Sequence, residues 1–225
     1  MTTGVRAADV LARRLADEGC RHAFGMPGGE VLTLVDALEA AGLRFVLVRH
    51  ENAGGFMAEG VHHRDGAPGV LVATVGPGAL NAVNVVENAR QDRVPLIVLT
   101  GCVDADSAAR YTHQVLDQRA VFSTLCKASF TLSAGAAEVI ADKAVRIATD
   151  GRPGPVHVDV PISVADAPAE PRPALRRRRA LLLRLDRRRR VPGMDGRQGS
   201  ARSSGPAGLI VAAPSPVRAN HLPRP

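Results

Sequence analysis

The sequence predicts an α/β fold: a doubly wound, mostly parallel, six-stranded sheet with helices on both faces, plus a basic C-terminal tail expected to be disordered. Three observations predict it. Short apolar runs alternate with segments of helical period along residues 1–165. The runs, such as GVLVATV and PLIVLTG, are continuous rather than alternating, as expected of strands covered on both faces. Several runs end in glycine, proline or a lone polar residue, the punctuation of strand-to-helix turns.

Val5, Ala8, Leu11, Ala12 and Leu15 recur at helical spacing until Gly19 stops the pattern. CRHAFG reads as the first strand and runs into the loop GMPGGE. Val31, Leu34, Val35 and Leu38 mark a second amphipathic helix. RFVLVRH is the second strand, and residues 52–64 form a helix. GVLVATV is the third strand, with one helix over 79–90. PLIVLTG is the fourth. SAARYTHQVLDQRAVF has a looser pattern. KASFTLS, a helix over 136–149 and GPVHVDVP complete the domain.

Charge is divided unevenly. Residues 1–165 hold 15 Lys+Arg against 18 Asp+Glu, whereas residues 166–225 hold 14 against 4. The formal net charge of +7 therefore belongs to the tail. APAEPRPA reads as a linker, and the blocks RRRR at 176–179 and 187–190 lie in a stretch rich in Gly, Ser and Pro. Cys20, Cys102 and Cys126 show no metal-binding spacing, and an odd count without a signal segment fits a reducing cytoplasm. No run approaches the ~18 uninterrupted apolar residues of a membrane span. His62 and His63 sit near a helix end, where cations suit the dipole, and read as exposed rather than metal-binding. Cys102, at a strand end, reads as a bystander thiol.

Ligands in such sheets bind beyond the carboxyl ends of the strands, and GMPGG, HENAG, TVGPG and LTG all stand there. Glu51 follows a strand and opens a helix. Its plain reading is an acid favoured by the helix dipole; its functional reading is a carboxylate aimed at a ligand. Gly54 and Gly55 leave room either for a flat ligand or for close helix packing. GMPGGE is not a phosphate loop, since it lacks both GxGxxG and GxxxxGK[ST].

FGMPGGEVLTLVDAL, RHENAGGFMAEG, VATVGPGALNAV and DRVPLIVLTG, in this order and spacing, resemble the N-terminal pyrimidine-binding domain of thiamine-diphosphate-dependent enzymes of the acetolactate synthase, pyruvate oxidase and decarboxylase group. The resemblance implies that Glu51 hydrogen-bonds the cofactor's pyrimidine ring nitrogen and handles a proton there. It implies that Pro27, Gly28, Thr74, Gly76, Pro77, Gly78 and Asn81 line the pyrimidine half of the site. His113 and Gln114 fall near where such enzymes place substrate-facing polar groups; their plain reading is surface. Val75 stands where acetolactate synthases more often carry serine, which speaks against that subgroup but not against the family.

The resemblance also implies a 2-keto acid substrate, decarboxylation, and transfer of the resulting acyl-anion equivalent. Relatives bind magnesium and diphosphate through a GDG followed by an asparagine, and this sequence has no GDG. Magnesium, and FAD where relatives hold it, are therefore expected only through domains absent from this chain. Three accounts stay open: a truncated enzyme, the small subunit of a split decarboxylase, or a non-enzymatic scaffold whose basic tail binds nucleic acid. The tail lacks the aromatic residues that stack on bases, which counts against the last. The expected partner is a second copy or a subunit carrying the diphosphate domain.

Overall fold

The structure, a computed structural model, is described for residues 4–110 and 113–170. Of the tail expected to be disordered, residues 171–225 lie outside the described residues. Helix α1 (Ala7–Asp17) is followed by β1 (His22–Gly25), a 3-10 turn at Gly29–Val31, α2 (Leu32–Ala40) and β2 (Arg44–Leu47). Next come α3 (Glu51–Asp65), β3 (Gly69–Ala73), α4 (Pro77–Leu80), α5 (Val83–Asp92) and β4 (Leu96–Cys102). The last third holds α6 (Ala105–Ala108), α7 (Gln118–Ser123), β5 (Ser129–Thr131), α8 (Ala137–Thr149), β6 (Val156–Pro161) and α9 (Ile162–Asp166).

The six strands form one sheet in the order β2-β1-β3-β4-β6-β5, and every pairing is parallel. The α/β fold read from the apolar runs is therefore the one observed. Alternate strand residues serve different faces. Val70, Val72, Ile97, Leu99, Val156, Val158 and Val160 pack under α1, α2 and α8. Phe24, Leu71, Leu96 and Val98 pack under α3, α5 and Phe122 of α7. β1, β3 and β4 thus contribute to two cores, which is why β3 and β4 read as unbroken apolar runs.

Two helical details differ from the sequence expectation. The helix expected over 79–90 is two helices, α4 and α5, joined through Asn81 and Ala82. Ala82 N donates to Ala79 O at 3.0 Å, an i→i+3 bond that tightens the turn and re-aims the chain. His62 is half-buried rather than exposed, with Nδ1 2.8 Å from Ala67 O, while Gly66 ends α3 at φ 74.

The folded unit extends a little past residue 165. Ala7 N donates to Ala167 O and Ala169 N to Val5 O, both within 2.9 Å, which ties these residues to the start of α1.

Chain order creates the crevice. After β1 the chain goes outward to β2, then returns across β1 to β3, so the loops leaving β1 and β3 diverge. Helix α3 lies over this point because its small residues let it approach. A Cβ on Gly54 would stand 3.3 Å from Leu71 Cδ1, and one on Gly55 would collide with Val85 of α5. Gly54 and Gly55 thus serve packing, and the ligand-room reading is not needed for them. Gly55→Ala should destabilise the fold by roughly 1–3 kcal/mol through overpacking, read from the urea midpoint.

Candidate functional site

Glu51 is the first residue of α3 and is only 4% exposed. The helix start is fixed by His50, whose Nδ1 accepts from Asn52 N at 3.2 Å. Asn81, at the end of α4, donates from Nδ2 to Glu51 Oε2 at 2.9 Å. Residues 30 positions apart are joined because α3 follows β2 and α4 follows β3 at the same, carboxyl edge of the sheet, on either side of β1. The carboxylate has no Lys or Arg ion pair among the described residues. Its charge rests on the α3 N-terminus and the Asn81 amide.

Gly78 faces the same carboxylate. A Cβ there would stand 3.1 Å from Glu51 Oε1 and would collide with Thr74 Oγ1. Gly28, from the β1 loop, meets the same cluster: a Cβ would lie 2.7 Å from Thr74 Cγ2. Thr74, Gly78, Gly28 and Glu51 are therefore neighbours at the crevice between β1 and β3. Pro27 and Pro77 stand exposed at its rim, and Gly76 is buried beneath it. Of the residues that the sequence singled out, Glu51, Gly28, Thr74, Gly76, Gly78 and Asn81 come together.

His113 and Gln114 are exposed. Gln114 adopts φ 62, and its carbonyl oxygen would lie 2.7 Å from a Cβ on Gly76. Gly76 itself has φ 61, a conformation that glycine adopts without strain. The segment of His113 and Gln114 thus rests on the Gly76 turn by its backbone.

A buried polar group beneath this turn was not foreseen. Gln118, 1% exposed, accepts from Gly76 N through Oε1 at 2.6 Å. Its Nε2 donates to Asp159 Oδ1 at 2.6 Å and lies 3.1 Å from Gly101 O. Thr100 Oγ1 also donates to Asp159 Oδ1, at 2.6 Å, and lies 2.7 Å from His157 Nε2. With the Thr100 hydrogen used, His157 Nε2 is the donor in that pair. Ser129 Oγ closes the chain, 2.7 Å from His157 Nδ1. The signal was present in VHVDVP, where polar residues alternate with valines. His157 and Asp159 face the α7 side while Val156, Val158 and Val160 face α1 and α8.

Burial alone would push the Asp159 carboxyl up, but the bonds from His157, Thr100 and Gln118 outweigh it and hold the carboxyl below its ordinary range. Burial, then Asp159 and Asp104, pushes the Cys102 thiol up to about 12. Burial raises Cys126 to about 12 as well, so neither thiol suits a nucleophile at neutral pH. Among the described residues, no group of three or more His, Cys, Asp or Glu could hold a metal ion, and no helix is long and apolar enough to cross a membrane.

Residues 5–121 match the family model described as "Thiamine pyrophosphate enzyme, N-terminal TPP binding domain". The chain belongs to this family. It is 37% identical over 163 residues to the acetolactate synthase isozyme 1 large subunit of Escherichia coli (strain K12), covering 71% of this chain and 29% of that protein. The acetolactate synthase large subunit of Buchnera aphidicola (subsp. Acyrthosiphon pisum) is 36% identical over 156 residues, or 68% and 27% of the two chains. A protein of Pseudomonas aeruginosa described as a probable 2-ketoarginine decarboxylase is 35% identical over 166 residues, or 72% and 30%. The chain thus spans less than a third of the length of these relatives.

Asp159 gives a pH prediction. Its folded-state carboxyl titrates below its unfolded value of about 3.9, so its stabilisation is present above that pH and is lost as pH falls through the folded value. Asp159→Asn should lower the urea midpoint most at neutral pH, and the gap to wild type should close in acid.

Proposed function

We propose that this chain supplies the pyrimidine half of a thiamine-diphosphate site in an acetolactate-synthase-like enzyme acting on 2-keto acids. The carrying observation is Glu51: a buried carboxylate held on one oxygen by Asn81, with its other oxygen facing Gly78, a residue with no side chain to cover it. Gly28 and Gly78 set no side chain of their own against the carboxylate, which leaves Glu51 Oε1 open to a flat heterocycle's ring nitrogen.

When bound, thiamine diphosphate supplies the electron sink for decarboxylation and acyl-anion transfer. Glu51 hydrogen-bonds the ring nitrogen through the oxygen that Asn81 leaves free and holds or moves a proton there. Asn81 keeps the carboxylate from turning away. The α3 N-terminus supplies the dipole that replaces its hydration. His113 and Gln114, carried over the Gly76 turn, face the substrate.

Diphosphate, magnesium and any FAD would be held by another domain or another subunit. Phe56 and Met57 on α3 and Leu80 on α4 are 43%, 45% and 43% exposed, on the elements that carry Glu51 and lead to Asn81. Such apolar exposure beside the site supports pairing there, with a second copy or with a diphosphate-domain subunit.

Two measurements test the reading. Calorimetric titration with thiamine diphosphate and magnesium should show heat once a diphosphate-domain protein of an acetolactate-synthase-like enzyme is added, together with keto-acid turnover. Absence of binding in both arrangements would refute it. In the reconstituted enzyme, Glu51→Gln should cut turnover by roughly 10²–10⁴-fold while the thermal midpoint stays near wild type. Unchanged turnover would make Glu51 a structural residue.

A further inference from the structure

The Gly76 turn has an unusual support. At φ 61 and ψ −113 it stands at the N-cap of α4, where no side chain caps the helix. Gly76 is buried, so its N–H needs an acceptor inside the protein. That acceptor comes from Gln118, 42 residues later, at 2.6 Å. The same amide donates to Asp159 Oδ1 and reaches Gly101 O, so one side chain ties the turn after β3 to the ends of β4 and β6. Gln118 also begins α7, directly after the segment of His113 and Gln114.

The chemistry asks for an amide. Gly76 N–H requires an acceptor, and the Asp159 carboxylate requires a donor. Glutamine offers both from one planar group. An ionised glutamate would set a second negative charge against Asp159 and be driven out of its place between Asp159 and Gly76. Leucine would fill the volume, leave the Gly76 N–H unmet and take one of its donors from Asp159, which would keep Thr100.

We infer that Gln118 is a positioning residue. Its amide locks the Gly76 turn, and with it Thr74, Gly78 and Asn81 beside Glu51, to the segment that carries His113 and Gln114. The cofactor half and the substrate-facing segment then keep one relative arrangement. This consequence rests on the thiamine-diphosphate reading; the lock itself does not.

Amide-resolved hydrogen exchange by NMR on the full chain, without cofactor, tests it. In Gln118→Leu, protection of the Gly76 amide should fall by roughly 10- to 100-fold, as expected when a buried donor loses its acceptor, while Val72 in the β3 ladder keeps its protection. Gln118→Glu separates the lock from mere packing. Near pH 5 a protonated acid can still donate to Asp159, so Gly76 should be protected as in wild type. Towards pH 8 protection, corrected for intrinsic exchange, should fall to the Gln118→Leu level. The titratable groups facing the site are Asp159 and His157 of β6 and Cys102 of β4, and the wild-type chain measured in parallel carries all three.

Wild-type protection of Gly76 in both variants at both pH values would overturn the lock. A deficit in Gln118→Glu that ignores pH would reduce Gln118 to packing and overturn it too. If Gln118→Leu does not fold, the Gln118→Glu comparison decides alone. The cofactor reading stands or falls separately, on the calorimetric titration.

Discussion

A carboxylate that is 4% exposed has lost nearly all of its hydration, and proteins tolerate this only where fixed dipoles replace the water. At Glu51 the replacement is the first turn of α3 and the Asn81 amide. Both depend on the reversal of strand order between β1 and β3. The helix start must lie over the crevice, which needs α3 close to the sheet, which in turn needs Gly54 and Gly55. Asn81 must reach back across the crevice, which needs the chain to break between α4 and α5 instead of running on as one helix. The arrangement around Glu51 is thus a consequence of topology plus two glycines. It is not a loop added to a finished scaffold.

The same reasoning explains why glycine recurs around Glu51 for different causes. Gly54 and Gly55 are required by apolar neighbours on the sheet and on α5. Gly78 is required by the carboxylate and by Thr74. Gly76 is required by its backbone angles and by the Gln114 carbonyl above it. Gly28 is required by Thr74, which also crowds Gly78. A sequence shows all of them as the same letter.

That limit marks what was legible beforehand. Strand and helix positions were legible because apolar runs and helical periods are local signals, and the all-parallel sheet follows from their alternation. The stretches holding Gly28, Glu51, Thr74 and Gly78 were legible because each follows the end of a strand, and strand ends converge in a parallel sheet, while Asn81 and the grouping around one ligand came from the family resemblance. The split between α4 and α5 was hidden, since Asn81 and Ala82 keep near-helical angles and preserve the periodicity. Gln118 was hidden for another reason. Its stretch has little periodicity, and its partners lie 17 to 42 residues away on other elements.

The alternation in VHVDVP carried more information than a strand assignment. A central strand covered on both faces has no exposed side for polar residues. His157 and Asp159 therefore had to find partners indoors, and a buried carboxylate requires several. Thr100, on the neighbouring strand, supplies one hydrogen bond and Gln118 another, while Ser129 satisfies the far side of the imidazole. Once Asp159 had fixed one end of the Gln118 amide, the other end pointed at the backbone of the Gly76 turn. A polar pair on a central strand thus reaches, through two hydrogen bonds, the turn that leads to Asn81 and holds the carboxylate of Glu51.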